Sequence, residues 1–151
     1  MAMRVKSISV TLDKNLKLDE QVAQVCKSAW YYLYQISKIK MYLTQDQLKT
    51  VVHAYVISRL DHNNSLLLGL PKYKIRKLQL VQNAAARLIL GGRKRDNVTP
   101  LLMQLHWLPV EKRILFKVLL LVFKCRIGLA PLYLQELLNV YVPYQNQRLR
   151  S

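Results

Sequence analysis

The sequence predicts a mainly α-helical protein, a helical bundle of five to six helices with at most one short N-terminal strand or hairpin. Three observations carry that expectation. Apolar residues recur every three to four positions over most of the chain, the period that lines one face of a helix. Start and stop signals bracket these periodic runs. The four glycines and five prolines fall at the edges of the runs and leave their interiors unbroken.

Ser7 to Leu12 is the exception to the helical period. Ile8, Val10 and Leu12 alternate with Ser7, Ser9 and Thr11, which predicts one short half-buried strand. A lone strand leaves its backbone groups unpaired, so this one is expected to pair outside the chain or to fray. A polar turn through Asp13-Lys14-Asn15 follows, and Asp19 is placed to cap a long helix. Val22, Val25, Ala29, Leu33 and Ile36 carry that helix to about residue 42.

The second helix has the clearest start. Thr44 and Gln47 form a capping box, with Leu43 and Leu48 at the flanking staple positions. Its apolar residues lead from Leu48 through Leu60 toward Gly69, and Pro71 blocks further extension. A third helix is expected from Lys72 to Leu90, stopped by Gly91-Gly92. The basic loop Arg93-Lys94-Arg95 leads to Thr99-Pro100, a cap with proline at the first helical position, and a short fourth helix to about Leu105. His106-Trp107-Leu108-Pro109 reads as a hinge anchored by a buried Trp107. Pro109 opens a fifth helix that stops before Gly128. A sixth, short helix begins at Pro131, and residues 143–151 read as a loose polar tail.

A chain of 151 residues can bury a sizeable core, and 52 % of its residues are hydrophobic. That composition argues against disorder. Twenty-four Lys and Arg residues against eight Asp and Glu give a formal charge of +16. An excess of that size implies a polyanionic partner, nucleic acid before an anionic membrane surface. The longest apolar run, Val118 to Phe123, is far short of the ~20 residues that cross a bilayer. No secretory leader is visible in Met1 to Thr11. The expectation is an intracellular protein, nuclear or cytoplasmic, not embedded in a membrane. Cys26 and Cys125 have no CxxC companion and sit on apolar helical faces, which reads as reduced core thiols.

No catalytic or metal centre is expected, and no cofactor. Two-metal nucleotidyl transfer needs close carboxylates. The one adjacent acidic pair, Asp19-Glu20, lies at a helix start, where capping and the helix dipole account for it. His53, His62 and His106 have no metal-ligand spacing, and no Gly-rich phosphate loop occurs.

The basic residues carry the positive signal. On a wheel of 100° per residue, Lys72, Arg76, Gln79, Asn83 and Arg87 fall within roughly 80° of one another. Ile75, Leu78, Val81, Gln82, Ala85 and Ile89 occupy the opposite arc. The polar row continues past the glycine stop into Arg93, Lys94 and Arg95. Cationic groups a helical turn apart can follow a phosphate backbone; the plain alternative is a solvated face. The fifth helix is apolar nearly all round apart from Arg113, Lys117 and Lys124 on one stripe, and Lys112, Arg113 and Lys117 form a second basic candidate surface. Trp30-Tyr31-Tyr32-Leu33-Tyr34 lies among lysines, but its rings point in different directions, and Trp30 is read with Ala29 and Leu33 as core packing rather than base stacking.

Several strings in fixed order resemble one family. They include Val5-Lys6-Ser7-Ile8-Ser9-Val10, Ser58-Arg59-Leu60-Asp61, Gly69-Leu70-Pro71 and Leu78-Gln79-Leu80-Val81-Gln82-Asn83-Ala84-Ala85-Ala86-Arg87. Thr99-Pro100-Leu101-Leu102, Leu105-His106-Trp107-Leu108-Pro109-Val110, Phe116-Lys117, Gly128-Leu129-Ala130-Pro131-Leu132-Tyr133-Leu134 and Leu149-Arg150-Ser151 follow. The ordered set resembles the region after the palm in reverse transcriptases of LINE-type (non-LTR) retrotransposons, of the chicken-repeat and jockey-like branches. The chain departs from that pattern at Ser9, where the family usually has Gly, and at His62-Asn63-Asn64, where it has a Tyr-Cys-Asn run.

The resemblance implies a remnant of the palm edge over residues 1–18, a helical thumb-like domain over 19–142 and the tail beyond. It also implies that the palm, with its aromatic-Ala-Asp-Asp motif, is missing, so the chain reads as truncated and without polymerase activity of its own. The expected partners are RNA, DNA or their hybrid through phosphates, and the missing palm or another protein through apolar helix faces. Two other readings stand beside this one: a host-expressed helical protein-interaction module, and a relic with no selected function.

Overall fold

The computed structural model describes residues 4–7, 10–13 and 17–138. The expected helical class is what forms, with six helices among the described residues. The single strand over Ser7–Leu12 is corrected. Strand β1 (Arg4–Ser7) and strand β2 (Val10–Asp13) pair antiparallel, with Arg4 opposite Asp13 and Ser7 opposite Val10. The ladder partner is therefore the segment immediately upstream, and backbone groups that a lone strand would leave unpaired find partners within the chain. Val10 is buried.

Helix α1 spans Asp19–Ile39 and tightens into a 3-10 turn over Lys40–Tyr42. Asp19 does not cap it. Leu18 occupies the cap position in the left-handed region, with φ 55°, and makes no side-chain cap bond. Asp19 instead begins the helix and forms an ion pair with Lys74 Nζ at 2.8 Å. The same ammonium donates to the Lys17 carbonyl at 2.7 Å. Lys74 is buried, and its hydrogen bond to Asp19 pushes its pKa upward. This pair ties the start of α1 to a helix more than fifty residues downstream.

Helix α2 is built from Gln45–Val52, a π-helical stretch His53–Ile57 and a final turn Ser58–Asp61. The capping box forms as the sequence predicts. Thr44 Oγ1 accepts from the Gln47 N–H at 3.3 Å, and Gln47 Oε1 accepts from the Thr44 N–H at 2.9 Å. The helix stops at Asp61, well before Gly69. Asn63 takes the left-handed conformation at φ 53°, which short polar side chains tolerate, and a 3-10 turn Asn64–Leu67 follows.

Helix α3 runs Lys72–Leu90, the span that Pro71 and Gly91 predict. Gly91 closes it at φ 72°, and the Gly92 N–H returns to the Arg87 carbonyl at 3.1 Å. Helix α4 (Val98–Gln104) is capped by Asn97, not Thr99: Asn97 Oδ1 accepts from the Thr99 N–H at 3.0 Å. Pro100 thus sits within the first turn, where its missing N–H leaves nothing unsatisfied. His106 breaks the chain direction at φ 54° ahead of helix α5 (Val110–Arg126), and helix α6 (Leu132–Gln135) follows Pro131. The expected continuation of α6 and the polar tail 143–151 lie outside the described residues.

The chain divides into two compact units, the first ending at Lys117 and the second beginning at Val118. The division falls inside the span 19–142 expected as one helical domain. In the first unit, α1 packs on α3 and on the π-helical part of α2, β2 lies along α1, and α4 lies against α3. Ala29, Val52, Val56, Ile57, Val81, Ala85 and Ala86 are wholly buried. The alanines sit in α1 and α3, where small side chains let two helix backbones approach closely. Val110 and Ile114 join the same core, and a half-buried Trp107 packs against it. In the second unit no described residue is buried, and Leu119 and Phe123 are exposed.

Candidate nucleic-acid interface

The polar row of α3 divides into three parts once its partners are in place. At its start, Lys72 and Arg76 are exposed and line a groove of about 470 Å³ together with Lys112 from the first turn of α5. Glu111, Gly69, Ile75 and Pro109 also line this groove. Three cations from two helices therefore face one concave surface.

The middle of the row is occupied. Gln79 Oε1 accepts from the Val110 N–H at 2.8 Å, while Gln79 Nε2 donates to Gln82 Oε1 at 2.9 Å and to Asn83 Oδ1 at 2.7 Å. Gln82, wholly buried, donates to the Leu108 carbonyl at 2.9 Å. These amides satisfy the otherwise unpartnered backbone groups where α5 begins. They hold that helix and do not face a ligand.

Arg87, at the end of the row, is half-buried, and its Nη2 donates to the Asp96 carbonyl at 3.1 Å. Asp96 in turn accepts the Arg93 backbone N–H on Oδ2 at 2.6 Å, and its own N–H reaches the Arg93 carbonyl at 3.1 Å. Residues 93–96 thus form a braced turn built from backbone groups. The side chains of Arg93, Lys94 and Arg95 take no part in the bracing and are all exposed.

The second basic stripe does not form as one surface. Lys112 turns to the groove with Lys72 and Arg76, whereas Arg113 and Lys117 border a different pocket, with His53 and Asp61. Arg113 is paired with the Asp61 carboxylate, which Asn64 Nδ2 approaches at 3.4 Å. Burial pushes the Asp61 pKa up; Arg113, His53, Asn64 and Lys117 pull it back. Arg113 is committed to neutralising a half-buried carboxylate, and Lys117 alone of that pair stays exposed.

Replacing Arg113 by Met is expected to lower stability at neutral pH by about 1–2 kcal/mol, less than a fully buried pair loses because solvent screens this one. The pH dependence has a definite sign. The folded-state pKa of Asp61 lies above its unfolded value, so Asp61 favours the folded state below the unfolded value, and this preference is lost as pH rises through the folded one. Removing Arg113 raises the folded value further. The deficit of the variant should therefore shrink as pH falls from about 7 toward about 4, in urea unfolding of both proteins. An unchanged deficit contradicts this assignment.

A further surface was not anticipated. Trp30 is 44 % exposed and Tyr34 61 %, so the reading of Trp30 as core packing is corrected. Ala29 and Leu33 are buried beside it, and Trp30 stands at the edge of their arc. Trp30 and Tyr34 line an open groove of about 700 Å³ between α1 and the C-terminal half of α3, with Leu80 from α3 and the cations Lys40, Arg87 and Lys94. Among the described residues, no acidic one lines it. The sequence signal was present in the one-turn spacing of Trp30 and Tyr34 ahead of Lys38 and Lys40. Both tyrosines also have partners within the protein: Lys38 lies over the Tyr34 ring at 4.3 Å, and Tyr32 stacks on Tyr55 at 5.5 Å between centroids and lies under Arg59 at 4.3 Å.

Cys26 and Cys125 are unpaired and half-buried, and burial pushes the Cys26 thiol pKa up. Among the described residues, no three His, Cys, Asp or Glu side chains come together where they could hold a metal ion. No described helix is long and apolar enough to cross a membrane. Compared with protein-family models, curated proteins and solved structures, the chain matches none.

Proposed function

We propose that this chain is the thumb region of a non-LTR retrotransposon reverse transcriptase, binding RNA, DNA or their hybrid through phosphates and without polymerase activity of its own. The observation that carries the reading is the gathering of exposed cations on a +16 chain: Lys72, Arg76 and Lys112 around one groove, and Arg93, Lys94 and Arg95 on one braced turn. Guanidinium and ammonium groups held this way contact phosphate oxygens and carry little sequence information. The ordered strings of the sequence, from Val5-Lys6-Ser7 to Leu149-Arg150-Ser151, support the family assignment. The proposal places the protein in the nucleus or cytoplasm, with the palm as a partner.

A second reading has its own observation. Leu119 and Phe123 are exposed on α5, as apolar residues are in protein-interaction helices, and this favours a host-expressed interaction module. Binding of labelled RNA, DNA and hybrid duplex, followed by fluorescence anisotropy at low salt, tests the first reading. All three should bind, with affinities that vary little with sequence; binding to none sinks it. Pure protein should also extend no primer on any template with any divalent metal. Incorporation of labelled nucleotide above a mock preparation would overturn that part.

A further inference from the structure

We infer that the groove between α1 and α3 is a base-stacking site that gives this protein a preference for single-stranded over duplex nucleic acid. The inference rests on the nucleic-acid reading above and adds to it a site, a chemistry and a specificity. Its basis is the placing of two exposed rings and an exposed leucine around one groove. Trp30 and Tyr34 lie one helical turn apart on α1, both exposed and both bordering the same open groove. Leu80, 51 % exposed, faces that groove from α3. Large rings left in water beside other apolar side chains are what an aromatic platform for bases requires.

The charges around the rings select the occupant. Among the described residues, Lys40, Arg87 and Lys94 border the groove and no carboxylate does; one face of the Tyr34 ring is taken by Lys38, whose ammonium lies 4.3 Å from the centroid. Apolar and cationic side chains lining one groove together suit a chain of flat rings joined by phosphates. Bases in a duplex are stacked on one another and offer no free face, whereas those of a single strand do. The braced turn at Arg93–Asp96 continues directly from this groove, so a strand with its bases on Trp30 and Tyr34 would have its phosphates beside Lys94.

The test uses the full chain and three probes of equal phosphate number: a single-stranded thymidine oligomer, an abasic oligomer of the same backbone, and a duplex. The thymidine oligomer should bind about ten-fold more tightly than the abasic one. Trp30→Leu and Tyr34→Leu should each bring the two together, and Trp30→Phe should keep most of the difference. In a Trp107→Phe background, Trp30 is the sole indole, and its fluorescence should be quenched by the thymidine oligomer but not by the abasic one. Quenching read on the unaltered Trp30 keeps the test decisive should a leucine variant fail to fold. Equal binding of all three probes, with no quenching, overturns the groove and leaves the phosphate reading standing. Binding of no probe at low salt removes both. Quenching by an acidic peptide in place of the oligomer would overturn the assignment to nucleic acid.

Discussion

Replacing Leu78 by Ala is expected to lower stability by about 2–5 kcal/mol. Leu78 is 1 % exposed on α3, in the core that α1, α2 and α3 share. Truncation removes its methyl groups from apolar surroundings and leaves a cavity that helices packed through Ala29, Ala85 and Ala86 cannot close by moving together. A loss of that size is a large share of the roughly 5–15 kcal/mol that holds a typical domain folded. The same substitution at Leu80, two residues on and 51 % exposed, should cost less than about 1 kcal/mol. Urea unfolding of both variants checks the contrast. Equal losses would place Leu78 outside the core.

The largest expected effect on binding belongs to the braced turn. Changing Arg93, Lys94 and Arg95 together to Ala should weaken nucleic-acid binding about a hundred-fold at 0.1 M salt. It should also flatten the plot of log affinity against log salt by about 2–3, because each phosphate contact contributes roughly 0.7–0.9 to that slope. Stability should change little. The turn is held by the Arg93 backbone N–H on Asp96 and by Arg87 on the Asp96 carbonyl, and none of the three altered side chains takes part. A folded triple variant with unchanged affinity would reduce the turn to a solvated charge run.

The parts of the fold that were legible in the sequence are those set by neighbouring residues. Pro71 and Gly91 bracket α3 because proline cannot continue a helix backward and glycine takes the left-handed cap at φ 72°. Thr44 and Gln47 cap α2 through bonds only three residues long. Where the deciding partner is far away in sequence, the wheel misleads. Gln79 looks like a solvent-facing residue of a basic row until Val110 takes its carbonyl oxygen. Arg113 looks like a phosphate contact until Asp61 claims it. The end of α2 at Asp61 was hidden for a related reason, since the apolar period continues to Leu67 while Asn63 turns the backbone. Trp30 was misplaced because it borders the buried arc of α1, and which side of that border a ring falls on depends on where α3 lies.

Six exposed cations, Lys72, Arg76, Arg93, Lys94, Arg95 and Lys112, carry the proposal that this protein holds nucleic acid by its backbone. The most direct measurement is the affinity of the full chain for one oligonucleotide as salt rises from about 50 to about 200 mM. Binding through these six cations should give a slope of about −4 to −5 in log affinity against log salt, a loss of several hundred-fold to about a thousand-fold over that range. Affinity that stays level across the same range would contradict it and assign the association to apolar helix faces.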